Sequence, residues 1–343
     1  MRKKIVPAVL GVGALLVTAA CGSDTAATDA TSASASEKKA CSVGFANPTG
    51  QNSYTGAVVE SLKIQVEKYG CKFSMLDSQL NVNQQITDVQ TFITQKVDAL
   101  VIFPLDYTAQ KAILTKAADA GIGVFGDNAD VNATQADQLT PPLTGQLIDG
   151  HLDRAFVEER FKYLSEKLPG GAGKVTFIGF GGPVAPLDKD WELTQEVAKD
   201  YPKIELLGRI NNPTDDVAGA QAPAAAELTK HPDLSAFISY NDPTAIGAAA
   251  AIKNAGKQGK VLSLGAQLQP EGVTALQKQQ IDVSWDFEPV VEGKKLAEIV
   301  LAWIKGDKAA AAQVVTGGYT KYTRDNIGDF VPTEKQLEAL RAE

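Results

Sequence analysis

From residue 41 onward, short apolar runs alternate with segments of helical period. SVGFA (42–46) precedes a helical pattern over 54–69, KFSML (72–76) one over 82–95, and ALVIF (99–103) one over 107–120, before GVFGD (123–127). Strands alternating with helices imply right-handed crossovers and a parallel sheet buried on both faces. A long helical segment is expected after Pro141 and Pro142. The pattern then restarts with KVTFIGF, a helix near 188–200, IELLGRI, a helix near 216–230, AFISY, a helix near 244–255, KVLSLGA, a short helix near 271–279 and DVSWDF. An amphipathic helix over 289–307 and a C-terminal helix over 333–342 finish the chain. The expectation is an α/β protein of two doubly wound halves, with its function in the loops after the strands, because ligands of open α/β sheets lie outside the strands' carboxyl ends.

The segment before residue 41 has a different character. MRKK is a positive n-region, IVPAVLGVGALLV an apolar h-region, and VTAAC sets small residues before a cysteine. This resembles a bacterial lipoprotein signal, with Thr18 where leucine is usual and Ala19, Ala20 and Cys21 in place. A membrane-spanning anchor needs about 20 apolar residues, more than this run holds. Residues 1–20 are therefore expected to be a signal peptide, Cys21 a lipidation site carrying palmitate on the outer face of the cell membrane, and 21–40 a flexible tether. The chain would touch the membrane only through that lipid.

Charge and cysteine count sharpen this picture. The net charge is −8, and loss of Arg2, Lys3 and Lys4 with the leader leaves 30 basic against 41 acidic residues. Such a balance repels nucleic acid and anionic membrane surfaces. With Cys21 lipidated, Cys41 and Cys71 remain in an oxidising compartment. Each opens a strand, and neighbouring strand starts in a βαβ unit lie about 5 Å apart, so a Cys41–Cys71 disulfide is expected.

Four stretches carry a resemblance: LDSQ at 76–79, ALVIFPLD at 99–106, LTKHPDLSAFISYNDPTAIGA at 228–248 and FEPVVEGKKLAEIVLAWIKG at 287–306. Their order and spacing over about 41–325 resemble the ribose-type periplasmic sugar-binding proteins, the class I solute receptors of ABC importers. The resemblance implies two Rossmann-like lobes joined by three crossover segments and closing on a ligand. It places the crossings near 141–145, 286–290 and 311–317, the first lobe at 41–142 plus 289–312, and the second at 145–287 plus 315–343. It also implies an ABC permease as partner, a monomeric receptor, no cofactor and no catalysis.

Recognising a polyhydroxyl solute requires carboxylates, amides and apolar surface for its carbon skeleton. By the resemblance, Asn52 would bond a hydroxyl and Tyr54 cover the carbon chain, although Asn52 is equally a good helix N-cap. Asp127 would accept hydroxyl protons. Asn128 and Lys189 stand where the family shows arginines, and Asp215 where it often has an aromatic wall, with Asp215 or Asp216 capping the next helix. Asn241 matches a hydroxyl-binding asparagine and Asp242 is expected to cap the helix after it. Gln267 is the nearest polar substitute for a family aspartate, Asp286 and Phe287 flank a hinge position, and Trp191 is expected in the core. Carboxylates and amides without either arginine suit a small uncharged solute. A four- or five-carbon sugar alcohol such as threitol, erythritol or xylitol is the expected ligand, with an aldopentose or other monosaccharide as the alternative, and a sugar receptor for a membrane sensor as a variant of role.

The rival classes fit poorly. In FIGFGGPV, Val184 occupies the third glycine position of a nicotinamide-binding loop, and there is no Walker A run and no H-E-x-x-H. His151 and His231 lack a nucleophile partner and are expected to be surface or packing residues. The sugar-sensing repressors that share the fold carry a DNA-binding helix-turn-helix and a basic surface, where this chain has an export signal and an acidic body. VFGDNAD (124–130) fails calcium-loop spacing, since Ala133 stands where the glycine belongs and Leu139 where the bidentate Glu belongs, so no metal is expected.

Overall fold

The computed structural model describes residues 41–50 and 52–343. The expected signal peptide, Cys21 and the tether lie outside the described residues. Among the described residues no helix is long and apolar enough to cross a membrane.

The chain opens β1 (Ser42–Asn47), α1 (Ser53–Tyr69), β2 (Lys72–Asp77), α2 (Val82–Gln95), β3 (Ala99–Ile102), α3 (Tyr107–Asp119), β4 (Gly123–Asp127) and β5 (Gly145–Ile148). Every residue of β3, β4 and β5 is buried, as central parallel strands covered on both faces should be. Asn52 starts α1 by accepting from the backbone N–H of Tyr54 at 3.0 Å and of Thr55 at 3.2 Å, and Gly70 ends it at φ 99°.

The second half runs α4 (Arg154–Lys167), β6 (Gly173–Phe180), α5 (Ala185–Ala198), β7 (Ile204–Asn212), α6 (Val217–Lys230), β8 (Leu234–Ser239), α7 (Asp242–Asn254), β9 (Leu262–Leu264), α8 (Pro270–Gln277) and β10 (Val283–Asp286). The chain closes with α9 (Pro289–Ile304), α10 (Lys308–Ala311), β11 (Val314–Thr316), β12 (Thr320–Thr323) and α11 (Thr333–Ala342).

Two six-stranded sheets result, ordered β11-β5-β4-β3-β1-β2 and β12-β10-β9-β8-β6-β7. Both are parallel apart from β12, which runs antiparallel to β10. The two-lobe α/β expectation therefore holds, and three details shift. Residues 145–148 form a strand pairing with β4, not the start of a helix, so the first crossing lies after Ile148 instead of near 141–145. The third falls between β11 and β12, at 317–319. The tail, expected on the second lobe, returns to the first: Leu337 and Leu340 pack with Ile64 of α1 and Val290 of α9, and Arg341 pairs with Glu60 at 2.9 Å. An amphipathic helix buries its stripe wherever a complementary groove is offered, and α1 with α9 supplies that groove.

Gly293 permits α9 to lie close on α1, because a Cβ there would run into the carbonyl of Val58. At the head of the first sheet Ser42 pairs with Lys72, which puts the preceding cysteines side by side, and Cys41 and Cys71 form the expected disulfide with a Cα separation of 4.5 Å.

That bridge closes a loop across α1, with a sequence separation of 30 residues. Replacing both cysteines by serine should lower the unfolding free energy by about 2–4 kcal/mol. Urea denaturation under oxidising conditions checks this; a midpoint equal to wild type would mean that the bridge contributes nothing.

Candidate ligand-binding site

The loops after the strands of both sheets face one cavity of about 70 Å³. From the first lobe it is lined by Pro48, Thr49, Asn52, Thr55, Leu80 and Phe103–Leu105, from the first crossing by Asp149 and His151, and from the second lobe by Phe180, Val184, Pro186, Leu187, Asp215, Tyr240 and Gln267. No lysine or arginine is among these residues.

At the hinge side the chemistry centres on Asp149, which directly follows β5 and is 5% exposed. Its carboxylate accepts from the backbone N–H of His151 at 2.9 Å and from Asn128 Nδ2 at 3.1 Å, and Tyr54 Oη lies 3.5 Å away. The Asp149 N–H in turn donates to Asn128 Oδ1 at 2.8 Å. Asn128 holds this double bond from a backbone at φ 54°, a left-handed conformation that asparagine tolerates better than arginine. Tyr54 Oη also donates to Glu292 of α9.

His151 links the hinge to the second lobe. Nδ1 stands 3.3 Å from both Asp149 oxygens, and Nε2 is 2.8 Å from the carbonyl of Tyr240. Burial disfavours the imidazolium, but the Asp149 carboxylate, with smaller help from the Tyr240 carbonyl, outweighs it and raises the His151 pKa. Both ring nitrogens thus face acceptors, which suits the doubly protonated ring. The neighbouring acids behave oppositely. Burial, reinforced by the Asp149 charge, pushes the Asp127 and Glu292 carboxyls well above the ordinary carboxyl range.

On the second lobe Asp215 accepts from Tyr240 Oη at 2.5 Å and Asn241 Nδ2 at 2.8 Å, and burial raises its pKa. Asp216, not Asp215, caps α6 by accepting from the Gly219 N–H at 2.7 Å. Gln267 Oε1 accepts from Gln269 Nε2 at 2.9 Å, and that same amide lies 3.4 Å from Asn52 Oδ1 on the opposite lobe. The rims therefore touch through side chains as well as through the crossings.

Of the residues expected at the site, Asn52, Asp215 and Gln267 line the cavity and the others are placed elsewhere. Tyr54, Asp127 and Asn128 form the buried network behind Asp149. Asn241 is fully buried and takes the cap of α7, accepting from the Thr244 N–H at 3.0 Å. That cap was expected of Asp242, which instead points into the core and accepts from Ser284 Oγ at 2.6 Å and the Gln269 N–H at 2.7 Å. Lys189 pairs along α5 with Glu192 at 3.0 Å. Asp286 accepts from the Glu288 N–H at 2.9 Å, and burial pushes its carboxyl to about 7. Phe287 is fully buried, edge-on to His151 at 5.0 Å and Phe156 at 4.8 Å. Trp191 packs against the core beside Phe177, as expected.

Asp149 and His151 were not among the expected residues. A helix expected over 145–148 hides DGH (149–151) as a post-strand loop, whereas these four residues form β5. His151 is neither surface nor plain packing: it is 1% exposed and bonded at both nitrogens.

A family profile described as "Periplasmic binding protein domain" matches residues 43–308. The chain is 25% identical over 275 residues to the ribose import binding protein of Bacillus subtilis, spanning 79% of this chain and 84% of that one. Among solved structures it resembles an ABC transporter solute-binding protein of Burkholderia graminis in complex with D-arabinose. That match has a TM-score of 0.75 and 18% identity, and covers 86% of this chain and 99% of that one. It also resembles one from Bacillus halodurans with bound myo-inositol, with a TM-score of 0.72 and 19% identity, covering 86% and 98%.

The buried acids give the fold a pH dependence. Burial, partly offset by the bonds from Ser284 and Gln269, pushes Asp242 from 3.8 to about 8. Between those values the fold holds a proton that the unfolded chain has released, so stability falls as pH rises through that window. The raised pKa values of Asp127, Glu292 and His151 act in the same direction. Melting temperature should decline from about pH 5 to about pH 8, and Asp242→Asn should flatten that decline; a variant with the wild-type slope refutes the assignment.

Proposed function

We propose that this chain, which belongs to the periplasmic binding protein domain family and is a class I, ribose-type solute-binding protein of an ABC importer, binds an uncharged monosaccharide in the cleft described above. The observation that carries this reading is the set of polar groups on the cavity wall. Asp149, Asp215, Asn52 and Gln267 supply acceptors and amides for hydroxyl groups, and no lysine or arginine stands there to neutralise a carboxylate or phosphate on the solute. The D-arabinose and ribose named for the similar proteins support a monosaccharide over the sugar alcohol expected from sequence. The alcohol keeps an argument of its own, since the similar Bacillus halodurans protein holds myo-inositol, a cyclic polyol.

Delivery follows from contacts that only the closed cleft offers. A solute bonded to Asn52 on one lobe and Asp215 on the other favours closure, and a permease recognises the closed shape. In this reading Asn128 and His151 fix the Asp149 carboxylate, with Asp127 held behind Asn128, and Cys21 carries the lipid that holds the receptor at the outer face of the membrane.

Calorimetric titration of D-ribose, D-arabinose, xylitol and erythritol tests the ligand class. Asp215→Ala should weaken the best of them at least about tenfold, as expected for loss of a charge-assisted hydrogen bond worth about 1.5–3 kcal/mol. Unchanged affinity takes Asp215 out of the site. For the anchor, Cys21→Ser should move the protein from the membrane fraction into the medium; retention by the membrane counts against lipidation.

A further inference from the structure

Asp242 is fully buried, and its carboxyl meets two neutral donors, Ser284 Oγ of β10 at 2.6 Å and the Gln269 N–H at 2.7 Å. Burying a carboxyl among neutral partners costs stability. Capping α7 does not account for it, because Asn241 makes that bond.

The loop between β9 and α8 supplies a reason. Gly265 is the last of its residues tied to the sheet, through an N–H bond to the Val283 carbonyl at 2.9 Å. Gln267 and Leu268 then adopt consecutive left-handed conformations, with φ 76° and 39°, which are costly for residues that carry a side chain. Among the described residues, 266–268 make no backbone-to-backbone hydrogen bond that would hold them in a turn. The next tether is the Gln269 N–H, and it goes to Asp242. Gly265 and Gly272, on either side of the loop, allow this approach, since a Cβ on either would collide with the Asp242 carboxyl. From Gln269 the chain of contacts reaches the cavity: its Nε2 donates to Gln267 Oε1 at 2.9 Å, and Gln267 lines the wall.

We propose that Asp242 is a positioning residue for solute binding, which holds Gln269 and through it sets the Gln267 carboxamide to meet the solute. The inference rests on the reading above that a polyhydroxyl solute occupies this cleft. Asparagine at 242 would keep an acceptor for the Gln269 N–H and could donate to Ser284 Oγ, whereas alanine keeps neither bond.

Calorimetry with D-ribose, D-arabinose, xylitol and erythritol tests this. For the tightest of the four, Asp242→Ala should weaken binding about three- to tenfold, the order expected for one lost hydrogen bond to the solute. Asp242→Asn should stay within about twofold of wild type. In a Gln267→Ala background Asp242→Ala should cost less than about twofold, because the side chain it positions is gone. Wild-type affinity in Asp242→Ala overturns the inference, and so does a full cost that persists without Gln267, the mark of a general structural role; either result leaves the cleft reading standing. Should Asp242→Ala fail to fold, Gln269→Ala takes its place in the same cycle under the same criteria, since it keeps the backbone N–H and removes the amide that holds Gln267. Binding of none of the four probes overturns the cleft reading and this inference together.

Discussion

The hinge is organised around one desolvated charge, the carboxylate of Asp149. Taken out of water, a carboxylate must be surrounded by donors or lose its charge. Here the donors are the His151 backbone and ring and the Asn128 amide, while the Tyr54 hydroxyl, which donates to Glu292, stands 3.5 Å away. Because those groups sit on the first crossing, the loop after β4 and the first turn of α1, satisfying Asp149 fixes the geometry in which the first lobe meets the crossing. His151 carries the constraint onward to the carbonyl of Tyr240 on the second lobe. The surrounding acids adapt to it. Burial first, and then repulsion from the Asp149 charge in a medium that screens poorly, raises the pKa of Asp127 and of Glu292.

The alternation of strand and helix was readable from the chain because parallel strands covered on both faces must be nearly continuous apolar runs, and β1, β3, β4 and β6 are such runs. The failures have equally physical causes. GQLI at 145–148 is short and includes Gln146, whose amide is buried against the carbonyl of Asp130 at 3.0 Å, a satisfied polar residue that breaks the apolar pattern. Once that strand was missed, Asp149 and His151 were missed with it. The docking of α11 on α1 and α9 was beyond reach for another reason: a helical period reports which face of a helix is apolar, not which groove receives it.

The site was legible in kind but only partly in position. The resemblance puts Asn52, Asp215 and Gln267 in loops after strands, and each of them lines the cavity. Asp127 ends β4 and Asn128 follows it, and the pair belongs to the network of Asp149 and not to the cavity wall, because a residue at a strand end can point into the cleft or behind it. At Asn241 and Asp242 the same ambiguity exchanged two roles. Asn241 has the oxygen for the cap and an amide left over for Asp215, whereas a carboxylate at Asp242 finds two donors in the core. The missing arginines, which suggested a flexible sugar alcohol, carry little information about the solute, because neither Asn128 nor Lys189 lines the cavity.

Direct bonds between the rims bear on how such a receptor responds to its solute. Gln269 on the second lobe reaches Asn52 on the first, and His151 reaches Tyr240. Contacts of this kind stabilise closure by themselves, and a ligand can shift the open–closed balance only by the difference in its affinity for the two states. If the rims closed too well alone, the permease would meet empty receptors as readily as loaded ones. The Gln269 to Asn52 contact, at 3.4 Å, is long for a hydrogen bond. Asn52 Oδ1 is moreover already committed to capping α1. The latch is thus a weak one, and it draws on none of the groups that hold Asp149.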